Sequence, residues 1–440
     1  MVEPSMLFSV LFRQDGANLN QCLPVPMRLP LCFALLLANA PLSAQDWPQF
    51  RGPQSDGIVR VTGLPVRWSK TENVAWRVDL PGKGWSSPVL SDGKLYLTTA
   101  VSKGKDQDTA GPRSLRALCL DSATGAIVWD QEVFMESTAG PTIHSKNSHA
   151  SPTPLLKDGR LYVHYGHLGT ACLDLSGKKL WEQRSLRYAP VHGGGASPIL
   201  VDGKLIFPCD GSEGPFLAAL DAGNGSVAWS TPRETGAAKK FSFCTPTVIS
   251  WEGKSQIISP FSDAVAAYEP SNGKEIWRVR YSGYSVIGQP AFRDELIYFT
   301  TSYDSPVTYA VRPGGKGDVT SSHVAWTQDK RAPNTPSLVL SGTELYQVAD
   351  NGMTSCLDAK TGKIHWQERT GRTTSASPLL VGDTLYILDE YGTTTLLAAS
   401  TTFKKLGENK LEGERTLATP TPGPGAWFIR TETGLYRIGK

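Results

Sequence analysis

The sequence predicts an all-β protein. It reads as one eight-bladed β-propeller of four-stranded antiparallel blades, with the last blade closed by an N-terminal strand. Three observations predict this. A short box recurs, in which a small residue sits ten positions before a Trp, an acid eight before it and Gly four before it: Cys119, Asp121, Gly125, Trp129; Ala219, Asp221, Gly225, Trp229; Ala267, Glu269, Gly273, Trp277; Cys356, Asp358, Gly362, Trp366. The Trp residues at 76, 129, 181, 229, 277, 326 and 366 lie 40 to 53 positions apart. Each unit opens on a Ser/Thr/Gln-Pro pair and then carries short apolar runs split by turns. Four short strands per repeat of about 40 to 50 residues describe a propeller blade.

Within a repeat the order is regular. The openings are Ser87-Pro88, Ser151-Pro152, Ser197-Pro198, Thr245-Pro246, Gln289-Pro290, Thr335-Pro336, Ser377-Pro378 and Thr419-Pro420. A first strand then meets a tight turn such as Asp92-Gly93, Asp158-Gly159, Asp202-Gly203 or Glu252-Gly253. Such dipeptides between apolar runs are strong hairpin signals. A second strand follows, as in Lys94-Leu-Tyr-Leu97. A third ends on the acid of the box, and the Thr-Gly or Asn-Gly turn feeds a fourth that carries the Trp. The segment around Trp76 looks like a fourth strand with no preceding three. The last opening leads to three strands with no fourth, so the two ends together make blade eight. Closure also removes the sheet edges that a linear array exposes. Two blades are degenerate: blade five has Pro313-Gly-Gly-Lys-Gly317 in place of the box turn, and blade seven ends at Phe403-Lys-Lys-Leu406 without a Trp.

The ends and the bulk composition bound the rest. Residues 1–26 are expected to be an over-called start, and 27–44 a secretory signal. That signal has one Arg, a short apolar run and a small-residue cleavage site at Leu42-Ser-Ala44. Residues 45–440 are then one domain. The expected location is exported, in the periplasm or cell envelope, and no later stretch is apolar enough to span a membrane. A formal net charge of +3 over 440 residues argues against a nucleic-acid binder. Five cysteines follow the signal. An odd count leaves at least one thiol unpaired. Cys209 and Cys244 are read as two separate thiols in preference to a pair.

The candidate site follows from the topology. The links between blades and the turns between second and third strands reach the same face. The links carry His144-Ser-Lys146-Asn147-Ser-His149, His192, Phe241-Ser-Phe243, Tyr284 and Asn334; the turns carry Asp210 and Asp350. Loops on a rigid scaffold concentrate binding residues. The expected ligand-binding set at this channel mouth is therefore Lys146, Asn147, His149, His192, Asp210, Tyr284, Asn334 and Asp350. No catalytic or metal set is expected, because no nucleophile motif and no His/Cys zinc spacing is present.

The box, from about Trp76 to the end, resembles the tryptophan-docking motif of pyrroloquinoline-quinone (PQQ) repeat proteins. The lead-in Trp47-Pro-Gln-Phe-Arg-Gly-Pro53 resembles that of exported bacterial PQQ-like proteins. The resemblance implies the eight-bladed fold. It also implies kinship with quinoprotein alcohol dehydrogenases and with the propeller subunit of the outer-membrane β-barrel assembly machine. This chain departs from the dehydrogenases: no two Cys are adjacent, and there is no Cys-x-x-Cys-His. It also lacks the lipidated Cys that would tether the assembly subunit. The leading expectation is a binding or scaffold propeller whose ligand is a protein, a glycan or a small molecule, with no cofactor. The alternatives are a diverged dehydrogenase using PQQ with calcium, and an outer-membrane assembly factor.

Overall fold

A computed structural model describes residues 46–103, 111–137 and 143–439. The expectations for residues 1–44 lie outside the described residues. Eight antiparallel four-stranded sheets follow one another along the chain. Blade one is Val89–Ser91, Lys94–Ser102, Arg113–Asp121 and Ile127–Glu136. Blade eight is Thr421–Gly423, Ala426–Arg430 and Gly434–Ile438, completed by Val74–Asp79, which pairs antiparallel with Gly434–Ile438. The ring is thus sewn shut by both ends of the chain.

In blades one to five the first hairpin turns on two residues of positive φ, as at Asp92 (46°) and Gly93 (68°) or Asp202 (48°) and Gly203 (70°); in blades six to eight a single Gly, Gly342, Gly382 or Gly425, has positive φ. Such paired left-handed residues make the turn whose twist matches the strands it joins. Both faces of every sheet are covered, so the core lies between blades. One buried cluster joins Tyr96 and Cys119 of blade one to Leu161 and Ala171 of blade two. The next joins Tyr162 and Trp181 of blade two to Phe207 and Leu220 of blade three.

The repeat Trp is the rivet. Trp76, Trp129, Trp181, Trp229, Trp326 and Trp366 each donate their indole N–H to a carbonyl in the following blade's last turn, at 2.9 to 3.1 Å. In all but Trp366, whose receiving turn has no Gly, the ring also lies flat against that turn's Gly. A Cβ on Gly225 would sit 2.4 Å from the Trp181 ring, and one on Gly273 2.4 Å from Trp229. Box Gly therefore meets two demands, a φ near +77° and the absence of a side chain. The small residue ten positions earlier faces Trp directly across the sheet, as Cys119 faces Trp129 and Ala219 faces Trp229. A second-strand aromatic leans on the Trp from inside, as Tyr96 does on Trp129 at 5.9 Å between centroids.

The degenerate blades show what happens without these parts. Blade five offers no box turn, so Trp277 of blade four bonds to Gln256 Oε1 at 3.1 Å. The substitute segment lays Gly317–Asp318 alongside Glu275–Arg280 as a fifth strand of blade four. In blade seven Gly407 holds the cross-strand register that Trp holds elsewhere. There Tyr386 stacks instead on Trp68 from the N-terminal segment, with centroids 6.4 Å apart and planes at 5°.

An inner ring of hydrogen bonds joins successive blades and corrects the register of two openings. Backbone N–H groups donate to the next blade's hydroxyl in the series Ser87 to Thr153, Thr153 to Ser197, Ser197 to Thr245, Gln289 to Ser337, Ser337 to Ser377 and Ser377 to Thr419, at 2.9 to 3.0 Å. Blade two therefore opens at Thr153-Pro154, not Ser151-Pro152. Blade six opens at Ser337, not Thr335. The Pro pattern misleads there because the hydroxyl that reaches the neighbouring blade, not the Pro, defines the position.

The lead-in proves to be a plug. Trp47 exchanges backbone bonds with Leu90 in blade one, and Pro48 O accepts from Leu156 N in blade two. Arg51 is buried and donates to Leu338 O, beside blade six, at 2.6 Å. Ile58–Val59 then pairs parallel with Leu379–Val381 of blade seven. Blades two and six stand opposite each other in an eightfold ring, so this segment crosses the channel on the hairpin side. Gly52 has φ 86°, and a Cβ there would lie 2.6 Å from the Trp47 ring.

Two glycines separate turn geometry from docking. Gly225→Ala and Gly203→Ala both place Ala at positive φ, a cost of about 1–2 kcal/mol. Only Gly225→Ala also drives a methyl into Trp181; a Cβ on Gly203 meets nothing within 4 Å. Chemical denaturation is expected to show Gly225→Ala the more destabilised by at least ~1 kcal/mol. Equal losses would remove the docking role from the Gly.

Candidate functional site

With the hairpin side plugged, the other end of the channel is a cup of about 450 Å³. One wall is aromatic and follows the links of neighbouring blades. His144 meets His192 at 5.4 Å, His192 meets Phe241 at 5.5 Å, and Phe241 meets both Phe243 (5.9 Å) and Tyr284 (5.8 Å), mostly edge to face. Trp85, Tyr303, Ile287 and Leu417 add apolar surface, while Thr335 and Ser375 add hydroxyls. Links do this work because the strands hold their ends rigidly while their own backbone is free of the ladder.

The charged groups of the lining are ammonium ions. Lys239 Nζ donates to Tyr284 Oη at 2.8 Å, and that hydroxyl donates to the Asp304 carboxylate behind it at 3.0–3.1 Å. Lys146 Nζ meets Glu390 Oε1 at 2.8 Å; Glu390 also accepts from Ser375 Oγ at 2.6 Å. Arg415 braces the same corner by donating to Ser145 O at 3.1 Å. The His144 imidazole is pushed below its ordinary value by burial and then by His192 and Lys146. The Lys146 backbone N–H donates to His144 Nδ1 at 3.2 Å, so the neutral ring carries its proton on Nε2.

Of the eight residues expected from sequence, Lys146, Asn147, His192 and Tyr284 line the cup. Asn147 spends its amide on the wall itself, donating to His192 O at 2.8 Å and accepting from Ser148 N at 2.8 Å. Asn334 and Asp350 stand just behind the lining. Asp350 accepts from the backbone N of Asn334 (2.7 Å) and Thr335 (3.2 Å) and from Thr335 Oγ1 (2.6 Å), which fixes Thr335 in the wall. His149 is packed away from the cup, where burial, with Arg113 and His167 nearby, pushes it down to about 3. Asp210 is fully buried between blades three and four in an ion pair with Arg233 at 2.7 Å, with Ser242 Oγ as a further donor. Trp85, Lys239 and Tyr303 also line the cup and were not singled out from sequence. Phe241 and Phe243 were legible as link aromatics. Lys239 sits beside Lys240 in a run that reads as solvated.

The five described cysteines, Cys119, Cys172, Cys209, Cys244 and Cys356, are free and buried. Burial holds Cys119, Cys172 and Cys356 up at about 11, the range of inert thiols. Among the described residues no three His, Cys, Asp or Glu side chains gather where they could hold a metal ion, and no helix is long and apolar enough to cross a membrane.

A plugged ring of Trp-riveted blades with a cup at one mouth defines a class, the PQQ-type propellers. The family model described as outer membrane protein assembly factor BamB matches residues 66–259 and 315–405, more than half of the chain, and the chain belongs to that family. A curated relative, outer membrane protein assembly factor BamB of Moranella endobia (strain PCIT), is 25% identical over 194 residues; the match covers 37% of this chain and 47% of the relative. The chain thus spans about half the length of the curated relative it matches. BamB from Moraxella catarrhalis superposes with a TM-score of 0.56 at 13% identity, covering 83% of this chain and 99% of that one. Quinohemoprotein alcohol dehydrogenase from Comamonas testosteroni gives 0.63 at 13% identity, covering 92% and 82%. A europium-containing methanol dehydrogenase gives 0.64 at 10% identity, covering 89% and 91%. At these identities the structural likeness shows the fold alone.

Two predictions follow from the placements. Asp210→Asn leaves the Arg233 guanidinium buried without its counter-ion and is expected to cost about 3–5 kcal/mol in denaturant unfolding. Pairing Asp210→Leu with Arg233→Met is expected to recover most of that loss. Acid is expected to weaken the fold. His149 and His164 are held down at about 3 and His167 at about 4, chiefly by burial. Their folded values lie below the unfolded value of about 6.5. Their contribution is therefore complete above that value and is lost as pH falls from about 6.5 toward 3. Asp210, raised to about 6 by burial, acts in the opposite sense, since its folded form takes up a proton more readily. Three imidazoles against one carboxyl predict a lower urea midpoint at pH 5 than at pH 7.5, with a smaller drop in His164→Gln.

Proposed function

We propose that this protein is a binding propeller of the cell envelope that holds its ligand in the mouth cup and performs no chemistry on it. The observation that carries this is the asymmetry of the channel. One end is stoppered by residues 47–59, and the other is an aromatic-walled cup of a size that takes small ligands, about 300–1,000 Å³. The export expectation drawn from residues 27–44 and the description of the family support an envelope location.

A quinone dehydrogenase is the reading this departs from. A calcium-bound quinone needs several carboxylate or carbonyl oxygens around the metal. No carboxylate lines the cup, and Glu390, just behind it, is bonded to Lys146 and Ser375. No pair of adjacent cysteines is present. The residues present do not fit that cofactor, and no step is drawn through it.

The family description and the Moranella relative favour a second reading, assistance in outer-membrane protein assembly, with the cup as docking point. Co-purification from envelope extracts tests it; recovery of no barrel-assembly component would set it aside.

Two measurements test the main reading. Incubation with PQQ and calcium followed by desalting is expected to leave no stoichiometric quinone absorbance and no dye reduction with alcohols. Val191 lines the cup, and melting curves against a mixed library of acids, amines and neutral compounds are expected to find ligands that stabilise the native protein but not Val191→Trp, whose indole fills that space. A bound quinone with turnover, or no cup-dependent ligand at all, would overturn the reading.

A further inference from the structure

Resting on the cup as the binding site, we propose that its ligand is a carboxylate with an apolar body. The body lies on the Phe241, Phe243 and Tyr284 wall, and the carboxylate lies at the Lys239 ammonium group.

The lining of the cup is unbalanced in charge. Two lysines and two histidines face the cup, and no Asp or Glu does. The acids stand behind the lining: Asp304 behind Tyr284, Glu390 behind Lys146, and Asp350 behind Thr335. An ammonium group has three N–H donors. Lys239 gives one to Tyr284 Oη, and Lys146 gives one to Glu390 Oε1. Each keeps donors that no carboxylate of the lining can take up. His144 adds a donor on Nε2, because its Nδ1 is already an acceptor for the Lys146 backbone. The cup is therefore rich in donors and poor in acceptors, and an incoming anion gains charge-assisted hydrogen bonds from its ammonium groups.

Competing ligand chemistries fit less well. Sugar hydroxyls need acceptors as well as donors, yet both ends of the Asn147 amide are spent on the wall and the carboxylates are turned away. The rings also pack edge to face on one another, so no single broad platform is presented. An amine would meet like charge. A fully hydrated inorganic anion would leave the aromatic wall unfilled. An apolar-bodied carboxylate satisfies both halves of the cup at once. It could come from a free small acid or from the C-terminus of a polypeptide, since both present the same group.

Isothermal titration of the intact protein tests this with matched probes: 3-phenylpropionate, its amide and 3-phenylpropylamine. A second pair is an acetylated Gly-Gly-Phe peptide with a free or an amidated C-terminus. The acids are expected to bind at least tenfold more tightly than their amides, with the amine weakest. Lys239→Met, at an exposed position that spares the fold, is expected to weaken the acids about tenfold and leave the amides unchanged. Tighter binding of the peptide acid than of phenylpropionate assigns a chain terminus; the reverse order assigns a free acid. Equal affinity of acid and amide, a preference for the amine, or equal weakening of both forms in Lys239→Met overturns the proposal. If library compounds of another charge still bind and are lost in Val191→Trp, the cup remains the site and only the ligand class falls. If nothing binds, both fall.

Discussion

The whole ring depends on one contact, an indole laid on a bare glycine of the next blade. Trp181 on Gly225 shows the terms. The N–H of the indole reaches the Ala222 carbonyl at 3.1 Å, and the ring occupies the volume a side chain on Gly225 would need. The hydrogen bond adds about 0.5–1.5 kcal/mol, but its larger effect is directional. It fixes the angle between sheets that apolar packing alone leaves free, because hydrophobic burial is not directional. Repeated round the ring, that angle sets how many blades close the circle.

Where the rivet is missing, the chain spends other residues on the same joint. Trp277 finds Gln256, and the extra segment of blade five lies along the edge of blade four. Trp68 comes from the N-terminal segment to stack on Tyr386 in the blade that has no Trp of its own. That segment first crosses the channel, then passes between blades seven and eight, where Asn409 holds the Trp68 backbone at 3.0 Å. It then becomes the outer strand of blade eight. One stretch of about thirty residues thus stoppers the channel, repairs a weak joint and closes the ring. The cup is a consequence of the first of these tasks.

The cup itself is assembled from links that are far apart in sequence and share nothing except their position in the repeat. Its cations line the cup, and the acids that orient the lining stand behind it, on turns between second and third strands. Asp350, Asp304 and Glu390 each orient a lining residue without lining the cup themselves. That division explains why Asp210, on an equivalent turn, does not reach the cup. Arg233 draws it inward between blades three and four, and a carboxylate held by a buried guanidinium cannot also face the channel.

What could be read from the chain alone was everything that repeats: the box, the hairpin dipeptides, the count of eight and the joining of Trp76 to the last blade. Those features are local, because turn geometry and strand alternation are set by neighbouring residues, and repetition multiplies the signal. The face on which links and turns converge was legible for the same reason, and so were Lys146, Asn147, His192 and Tyr284 as members of it. Tertiary structure alone decided the rest. Whether Ser151 or Thr153 opens blade two depends on which hydroxyl meets Ser87 across the junction. The fate of Asp210 depends on a partner, Arg233, that no spacing rule connects to it, and that of His149 on the burial the folded ring imposes. The plug could not be foreseen because residues 47–59 carry no repeat; their conformation comes from the opposing blades they touch, and those contacts exist only once the ring has formed.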